Sequence, residues 1–366
     1  MSVRVINQRT SSPRTTYVFR RGEFLQPIKD QAVIPAGLST LHPMKPRKET
    51  GDRLDLATWI VSPKNPLTPR VTVNHVWKHL FGEGIVRTVN DFGIRGEKPT
   101  HPELLDWLAD EFRGNLGWSR KELIRTIVTS ATYRQASSVR QELLDVDPQN
   151  LLLVRQNRVR VEAEIVRDLS LSVSGLLSSK IGGPSVFPPL PPGVAELSYA
   201  NNFKWATSKG EDRYRRGMYT FFKRTSPHPN LTLFDCPDSN LTCVSRNSSN
   251  TPLQALTLLN NEIFVEAARK FGKRVINQKA DDAARLTHAF QLCVSRRPSS
   301  SELNQFREML DTSRKWYGTH KDVAVQLAGL SKDSSTAKDE PEAAEIAAWI
   351  ATCRIMLNMD EFITRN

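Results

Sequence analysis

The sequence predicts a mainly α-helical protein with one small β-sheet. Capping residues at fixed spacing mark helix starts, and apolar residues follow them with helical periodicity. The clearest helix starts lie at residues 68–69, 100–103, 119–122 and 251–254. Two runs, residues 15–20 and 216–224, are rich in the β-branched and aromatic residues that favour strands. We expect these two runs to pair in one sheet that ties the N-terminal arm to the middle of the chain.

Length and composition indicate a folded protein of about two domains. The chain has 366 residues, of which 39% are apolar and 25% are charged. No run approaches the roughly 18 apolar residues of a membrane span. The start of the chain lacks the apolar stretch of an export signal.

We divide the chain into four regions that pack as one or two compact units. They are an N-terminal strand and surface arm (1–50), a helical core region (51–180), a Pro-rich crossover with a strand and a polar loop (181–250), and a C-terminal helical region (251–366).

The net charge of +12, from 51 basic against 39 acidic residues, favours acidic partners. The excess is concentrated in residues 1–50, with nine basic against three acidic, and in residues 203–224, with seven against two. Nucleic-acid binding and a solvated basic face are the two interpretations. Because no nucleic-acid-binding motif accompanies the charge, nucleic acid is the weaker one.

Helix signals are clearest in the central region. A helix is predicted at 53–61, and the next starts at Thr68, a hydroxyl cap followed by proline at the first helical position. Gly82 and Gly84 end it and open a flexible connector. The helices that follow the starts at 100 and 119 are joined by a short connection and predict an α-hairpin.

The second half of the chain begins with a helical pattern at 150–178. The segment 181–192 then contains five prolines and two glycines, which exclude a helix and predict a stiff crossover at a boundary within the chain. Further helices are predicted from 251 to 267, 281–294, 302–316 and 343–356, with a polar mobile loop at 330–342.

One helix carries a histidine pair with metal-ligand spacing. His75 and His79 are four residues apart, so their imidazoles share one helix face. The residues between them lack the glutamate of an HExxH helix, which favours a structural role, and we expect no metal site. Motifs of serine hydrolases, P-loop proteins, dinucleotide-binding proteins and kinases are also missing from the sequence.

The polar loop before residue 251 is the main candidate site. It places Arg224, His228, Asp235 and Arg246 on irregular chain beside a predicted strand and before a helix N-terminus, a position that attracts anions. One interpretation is a binding site for an anionic ligand. The other is a charge network that holds the long loop in place.

Four further residues are secondary candidates. Asn74 lies in the predicted helix that starts at Thr68, Asp91 and Arg95 lie in the connector after residue 84, and none of the three has a role as a cap. Arg134 follows a predicted helix, where its charge would complement the negative helix end.

The four cysteines form no CxxC pair and no CxxCH haem-attachment motif, so we expect no cofactor in this chain. Cys236 and Cys243 close a small loop if the compartment is oxidising, and are two free thiols otherwise. Cys293 and Cys353 lie in apolar helical patterns and are predicted to be core residues.

Several long runs resemble a known family from about Thr16 to Phe362. They are TYVFRRGEF, NPLTPRVTVNHVWKHLFGEGIVRTVNDFGIRGEKPTHPELLDWLADEF, GWSRKELIRTIVTSATYRQ, RVEAEIVRDLSLSVSGLL, GGPSVFPPLPP, YRRGMYTFFKR and SNTPLQALTLLNNE. The family is that of the planctomycete-specific domain proteins, known as domain-of-unknown-function family 1553.

The resemblance implies a C-terminal position behind a planctomycete-type cytochrome c module, another uncharacterised domain and an export signal. It therefore implies a periplasmic or cell-envelope location for a full-length form, with haem c in upstream modules. It supplies no catalytic residues.

From these observations we expect a non-catalytic binding or scaffold module of a multidomain envelope protein that serves redox or glycan-processing partners. The alternatives are a hydrolase or lyase that acts on acidic glycans and, with charge as its only support, a nucleic-acid-binding protein.

Overall fold

The computed structural model describes residues 5–7, 14–143, 145–191, 193–194, 204–278, 280–330 and 342–365. It divides into two compact units, Met1–Gln156 and Asn157–Asn366, here called the first and second unit. The described residues form twelve α-helices and two two-stranded sheets, which confirms the predicted mainly α class. No helix among them is both long enough and apolar enough to cross a membrane.

The first unit contains a β-hairpin and four helices. These elements are β1 (Thr16–Phe19), β2 (Pro27–Val33), α1 (Arg53–Ile60), α2 (Leu67–Phe81), α3 (Pro102–Arg113) and α4 (Arg120–Val128). Its core forms where the apolar faces of α2, α3 and α4 meet, around Val73, Phe81, Leu108, Phe112 and Leu123. This arrangement includes the predicted α-hairpin of α3 and α4.

The helix starts of the first unit follow the sequence signals only in part. Ser119 caps α4, since its side chain accepts a hydrogen bond from the backbone of Glu122, but Glu122 does not return the bond that a capping box requires. The predicted hydroxyl cap of α2 is wrong: the Asn65 side chain accepts from the backbone N–H groups at that start, while Thr68 donates its hydroxyl to the Ile60 carbonyl.

The predicted capping box at residues 100–103 is also wrong. His101 is the N-terminal cap of α3, and its side chain makes no capping hydrogen bond. The Thr100 hydroxyl instead lies 3.3 Å from the Ile85 carbonyl, so it holds the connector rather than the helix.

The predicted pairing of the two strand-like runs is wrong. β1 pairs with β2 in an antiparallel hairpin, with Thr16 opposite Val33. Pro27 does not prevent this pairing because proline is tolerated at the first position of a strand. The run 216–224 instead contains a 3₁₀ turn at Gly217–Tyr219 and a single bridge from Thr220 to Val186.

The second unit contains eight helices among its described residues. These are α5 (Ala163–Ser174), α6 (Pro229–Leu233), α7 (Pro252–Asn260), α8 (Glu262–Ile276), α9 (Asp282–Val294), α10 (Ser300–Thr319), α11 (Lys321–Ala328) and α12 (Ala343–Met356). Two short strands, β3 (Val159–Arg160) and β4 (Thr364–Arg365), pair antiparallel. The predicted helix over 150–178 is therefore restricted to α5.

The core of the second unit is built around α12. This helix is apolar on nearly every face, as expected for a central helix, and packs against α8, α10 and α11. Trp349 is fully buried there, and Gly272 of α8 lies so close to the backbone of Ile350 that a side chain would not fit. The helix predicted at 343–356 is confirmed.

The Pro-rich segment 181–191 lies inside the second unit. The predicted capping box at the start of α7 is confirmed, with reciprocal bonds between Thr251 and Gln254. Most of the predicted loop at 330–342 lies outside the described residues.

Candidate functional site

The four main candidate residues lie around α6 in the second unit. His228 is the N-terminal cap of α6, Asp235 follows its end, and Arg246 lies on the loop that leads to α7. Arg224 precedes them on an exposed part of the chain.

His228 is buried, with 4% of its surface exposed, and its ring makes contacts that hold the fold. Its Nδ1 accepts a hydrogen bond from the backbone N–H of Asn230 at 3.2 Å, and its Nε2 lies 3.0 Å from the Pro189 carbonyl. This pair of contacts requires the neutral tautomer with hydrogen on Nε2. Burial lowers the pKa of His228 to about 4, which favours that neutral form.

The Pro189 contact is one of several that hold the Pro-rich segment. Trp205 donates its indole N–H to the Pro188 carbonyl at 2.7 Å. Phe187 stacks on Phe221 with ring centroids 5.0 Å apart. His228 therefore fastens the Pro-rich segment and starts α6 at the same time.

Asp235 connects the end of α6 to the start of α7. Its Oδ2 accepts hydrogen bonds from the backbone N–H and the hydroxyl of Ser249, at 2.8 and 2.7 Å. Gln254 donates to the same hydroxyl at 3.1 Å and to the Leu233 carbonyl at 2.9 Å. Asp235 has a φ of 63°, a left-handed conformation that aspartate tolerates better than most residues.

Arg246 is paired with two carboxylates at the start of α5. Its Nη1 lies 2.6 Å from Glu164 and 3.5 Å from Glu162. Burial opposes the charge, but the hydrogen bond that Arg246 donates to Glu164 outweighs it, so the pKa of the Arg246 guanidinium is raised. The positive charge that suggested an anion site is therefore already balanced within the fold.

Arg224 differs from the other three candidates. It is exposed, and the structure shows no hydrogen bond or ion pair for it within the described ranges. Of the four, its charge is the one presented to solvent.

Helix α5 is the centre of this region, and the sequence analysis did not single out its buried charged residues. Asp168, 8% exposed, accepts hydrogen bonds from the Gly217 N–H at 2.6 Å and from Arg216 at 3.2 Å. Arg167 is equally buried and donates to the Arg213 carbonyl at 2.7 Å. Burial lowers the pKa of Arg167 to about 10, while the charge of Asp168 opposes that shift.

A sequence signal for Arg167 was present. It lies four residues after Ala163 and four before Leu171, both buried, so helical periodicity places it on the apolar face of α5. A charged residue at such a position is expected to have a specific partner.

Arg215 is a second buried arginine that the sequence did not single out. Its guanidinium donates to the carbonyls of Lys180, Gly182 and Pro184 and lies 3.8 Å from the ring centroid of Tyr219. Tyr219 in turn accepts a hydrogen bond from the Gly182 N–H at 2.8 Å. These contacts fix the Gly-rich turn that opens the Pro-rich segment.

Two of the secondary candidates hold the connector of the first unit. Fully buried Asn74 pairs with both backbone groups of Val86, at 2.9 and 2.8 Å. The side chain of Asp91 accepts from the Gly93 N–H at 2.8 Å, which forms a tight turn. Arg95 and Arg134 are both exposed.

The Asn74 contacts predict a structural effect. Asn74→Ala should lower the free energy of unfolding of the first unit by about 2 kcal/mol, because two buried backbone groups lose their partners. Asn115→Ala, an exposed control in the same unit, should change it by about 0.5 kcal/mol at most. Urea denaturation of both variants measures the difference. Equal stabilities would mean that Asn74 is not needed to hold the connector.

The cysteines are all free thiols in the structure. Cys243 is exposed and its Sγ lies 3.2 Å from the Ser245 carbonyl, while burial raises the pKa of the Cys236 thiol. Cys293 and Cys353 lie in the core of the second unit, as predicted. Among the described residues, no three histidines, cysteines or acidic residues lie close enough to hold a metal ion.

Chemically, the loop is a network that joins α5, α6, α7 and the Pro-rich segment. Both ring nitrogens of His228 are engaged, so the imidazole cannot exchange a proton with a ligand without breaking a contact that holds the fold. The charge of Arg246 is offset in the same network, because two of its guanidinium nitrogens donate to Glu164.

Comparison with known proteins identifies the family of the chain. Residues 52–310 match the family model PSD1, described as a protein of unknown function (DUF1553). No curated protein matches the chain, and no solved structure matches it. The match covers more than half of the 366 residues and lies within the range over which the sequence resembles this family. The chain therefore belongs to the PSD1 (DUF1553) family.

Proposed function

We propose that this chain is a non-catalytic binding or scaffold module of a multidomain cell-envelope protein. The observation that carries this proposal is the hairpin of β1 and β2 in the first unit. Phe24 and Leu25, in the connection between the strands, are 71% and 74% exposed, and Ile34 beyond β2 is 80% exposed. Exposed apolar groups gathered in one short segment are typical of surfaces that bind other proteins.

A groove next to the hairpin supports the same function. It has a volume of about 460 Å³, and its wall begins two residues after the end of β2, at Pro35. Ala36, Met44 and Leu56 supply most of the rest of its apolar lining. An apolar groove beside a protruding apolar segment provides both a recess and a projection for a partner to contact.

The second unit supports a binding module in a different way. His228, Asp235 and Arg246 serve the fold through specific contacts, as their hydrogen bonds and ion pairs show. Residues of this kind stabilise a platform, which a scaffold module requires.

We further propose that the partners are cytochrome-type redox or glycan-processing domains, and that haem c is bound by them rather than by this chain. This part rests on the family resemblance. Sequencing the DNA upstream of the Met1 codon tests it, because an in-frame region that encodes CxxCH is expected. If no in-frame region upstream encodes CxxCH, the cytochrome partner is removed from the proposal.

The binding function itself is tested by site-specific photo-crosslinking. A photoreactive amino acid at Phe24 is expected to capture a reproducible envelope protein, whereas the same group at Leu152, 62% exposed in the same unit, should not. Mass spectrometry identifies the captured proteins. Identical patterns from the two positions would contradict a binding surface on the hairpin.

A second candidate function is binding or cleavage of acidic glycans. The exposed positive charge of Arg224 favours it, because that charge would attract an acidic sugar. Two half-buried aromatic residues, Phe221 and Phe222, precede Arg224 in the chain and would offer apolar surface to the sugar ring. On this candidate, Arg224→Ala weakens binding to uronate or sulfated glycan arrays, and the wild-type chain releases new sugar ends from them. If Arg224→Ala and Arg246→Ala both leave glycan binding unchanged, this candidate fails.

A further inference from the structure

The hairpin of the first unit presents an open strand edge. β2 is paired with β1 on one side, with a register shift between Tyr17 and Phe19, and no strand among the described residues pairs with its other side. The residues from Lys29 to Val33 are all exposed. A two-stranded hairpin is marginally stable in water unless a further strand or a helix covers it. The unpaired backbone groups of such an edge are a template for another strand.

The turn of the hairpin is closed by backbone hydrogen bonds and carries basic side chains. The Arg20 N–H donates to the Gln26 carbonyl at 3.0 Å, and the Gln26 N–H donates to the Glu23 carbonyl at 2.9 Å. Arg21 and Gly22 have positive φ angles of 51° and 79°, which closes the chain tightly. The turn is therefore preformed, so a partner that docks against it loses little additional entropy.

Charge complementarity indicates the kind of partner. Residues 14–34 carry four basic side chains against two acidic ones. Arg20 and Arg21 are exposed, and within the described ranges the structure shows neither in an ion pair. Lys29 is exposed on β2 itself. An acidic segment would approach this edge faster and bind it more tightly than a neutral or basic one.

We propose that the open edge of β2 binds an extended acidic peptide segment, which adds a third strand to the hairpin. Main-chain hydrogen bonds supply the ladder, and alternate side chains of the segment face the exposed apolar and basic side chains of the hairpin. This inference rests on the proposed binding function and names the partner class of the same surface. An anionic lipid surface would also attract Arg20 and Arg21, but it offers no backbone ladder for β2.

A designed peptide tests the proposal directly. The probe is a Thr-Glu-Val-Glu-Val-Glu-Thr amide with fluorescein on its N-terminus, and binding to the intact chain is measured by fluorescence anisotropy at low salt. We expect saturable binding that Arg20→Glu combined with Arg21→Glu weakens by about tenfold. Arg120→Glu combined with Lys121→Glu makes the same charge change on exposed residues of the same unit, and it should leave affinity within about twofold of wild type.

Two further probes separate strand addition from charge alone. In an added strand, every second amide faces the protein, so N-methylation of one alternate set abolishes binding while methylation of the other set preserves it. A peptide with lysine in place of glutamate should not bind. Equal effects of the two methylation patterns, or equal loss in both double variants, would overturn the proposal. Binding to anionic phosphatidylserine vesicles without peptide binding would overturn it in favour of a lipid surface.

The outcome is distinguishable from failure of the proposed function. If crosslinking at Phe24 captures a specific partner while the acidic peptide does not bind, the binding module stands and the strand-addition inference falls. Circular dichroism of each double variant establishes that the fold is retained.

Discussion

Asp168→Ala is expected to lower the free energy of unfolding of the second unit by about 3 kcal/mol, because it removes the carboxylate that pairs with Arg216 and offsets the charge of the buried Arg167. Asp168 and Arg167 are each 8% exposed on α5, and the charge of Asp168 favours the charged form of Arg167. The substitution also removes the acceptor for the buried Gly217 N–H.

The loss of the Asp168 charge and the loss of the acceptor for the Gly217 N–H can be separated. Asp168→Asn keeps an oxygen that accepts from Gly217 but removes the charge, so its loss should be about half as large. Asp212→Ala is the control: Asp212 is 47% exposed and pairs with Lys180 at the surface, so its loss should be about 0.5 kcal/mol. Urea denaturation monitored by hydrogen exchange in the second unit measures all three. A loss for Asp168→Ala no larger than that of the control would contradict the role given to α5.

If Asp168 has this effect, the network around α5 is a structural centre. Glu164 and Asp168 lie one turn apart on α5. Glu164 pairs with Arg246, and Asp168 accepts from the Gly217 N–H, so two distant parts of the chain are held on one helix. Gly217 has no room for a side chain, since a Cβ atom would lie 2.6 Å from the Glu164 carbonyl oxygen. The long loop is therefore bound closely to α5, which leaves the hairpin of the first unit as the better place to look for partners.

The elements that the sequence predicted well are those with local causes. The capping box of α7 and the apolar composition of α12 are both local signals. The helix predicted from 251 to 267 is instead two helices, because α7 ends at Asn260 and Asn261 caps α8. The strand pairing was not predictable in the same way. β1 forms a hairpin with its nearest neighbour because a short loop costs less entropy to close than a connection of about 200 residues.

The candidate site was predictable in composition but not in its pairings. The sequence placed His228, Asp235 and Arg246 on one irregular segment, and the structure brings all three against α5, α6 and α7. It could not reveal that Glu164, 82 residues before Arg246, balances that charge, because ion pairs over such a separation depend on tertiary packing. Without the partner, a structural arginine and an anion-binding arginine look the same.

The stability of the second unit is expected to fall by about 2.5 kcal/mol between pH 7.5 and pH 4.5 through His228 alone. The pKa of His228 is lowered by burial to about 4 in the folded chain, against about 6.5 when unfolded. As the pH falls, the unfolded chain therefore takes up the proton first. The stabilisation is complete above pH 6.5 and is lost as the pH falls toward 4.

His228→Asn isolates this effect. Asparagine is a good helix cap and does not titrate, so α6 keeps its start while the contact with Pro189 is lost. The variant should be less stable than wild type at pH 7.5 but should lose much less stability on acidification to pH 4.5. Urea denaturation at several pH values between these limits measures both slopes.

The pH window excludes the main competing titrations. A hydrogen bond from Arg314 lowers the pKa of Asp282, and one from Arg296 lowers the pKa of Glu302 to about 2. The stability that such carboxylates contribute is present above their pKa in the unfolded chain, near 4, and is lost as the pH falls below it. If the stability of wild type and of His228→Asn falls equally with pH above pH 4.5, then a buried, neutral His228 is not what holds the Pro-rich segment. The contact between His228 and Pro189 would then contribute nothing measurable to the acid sensitivity of the second unit.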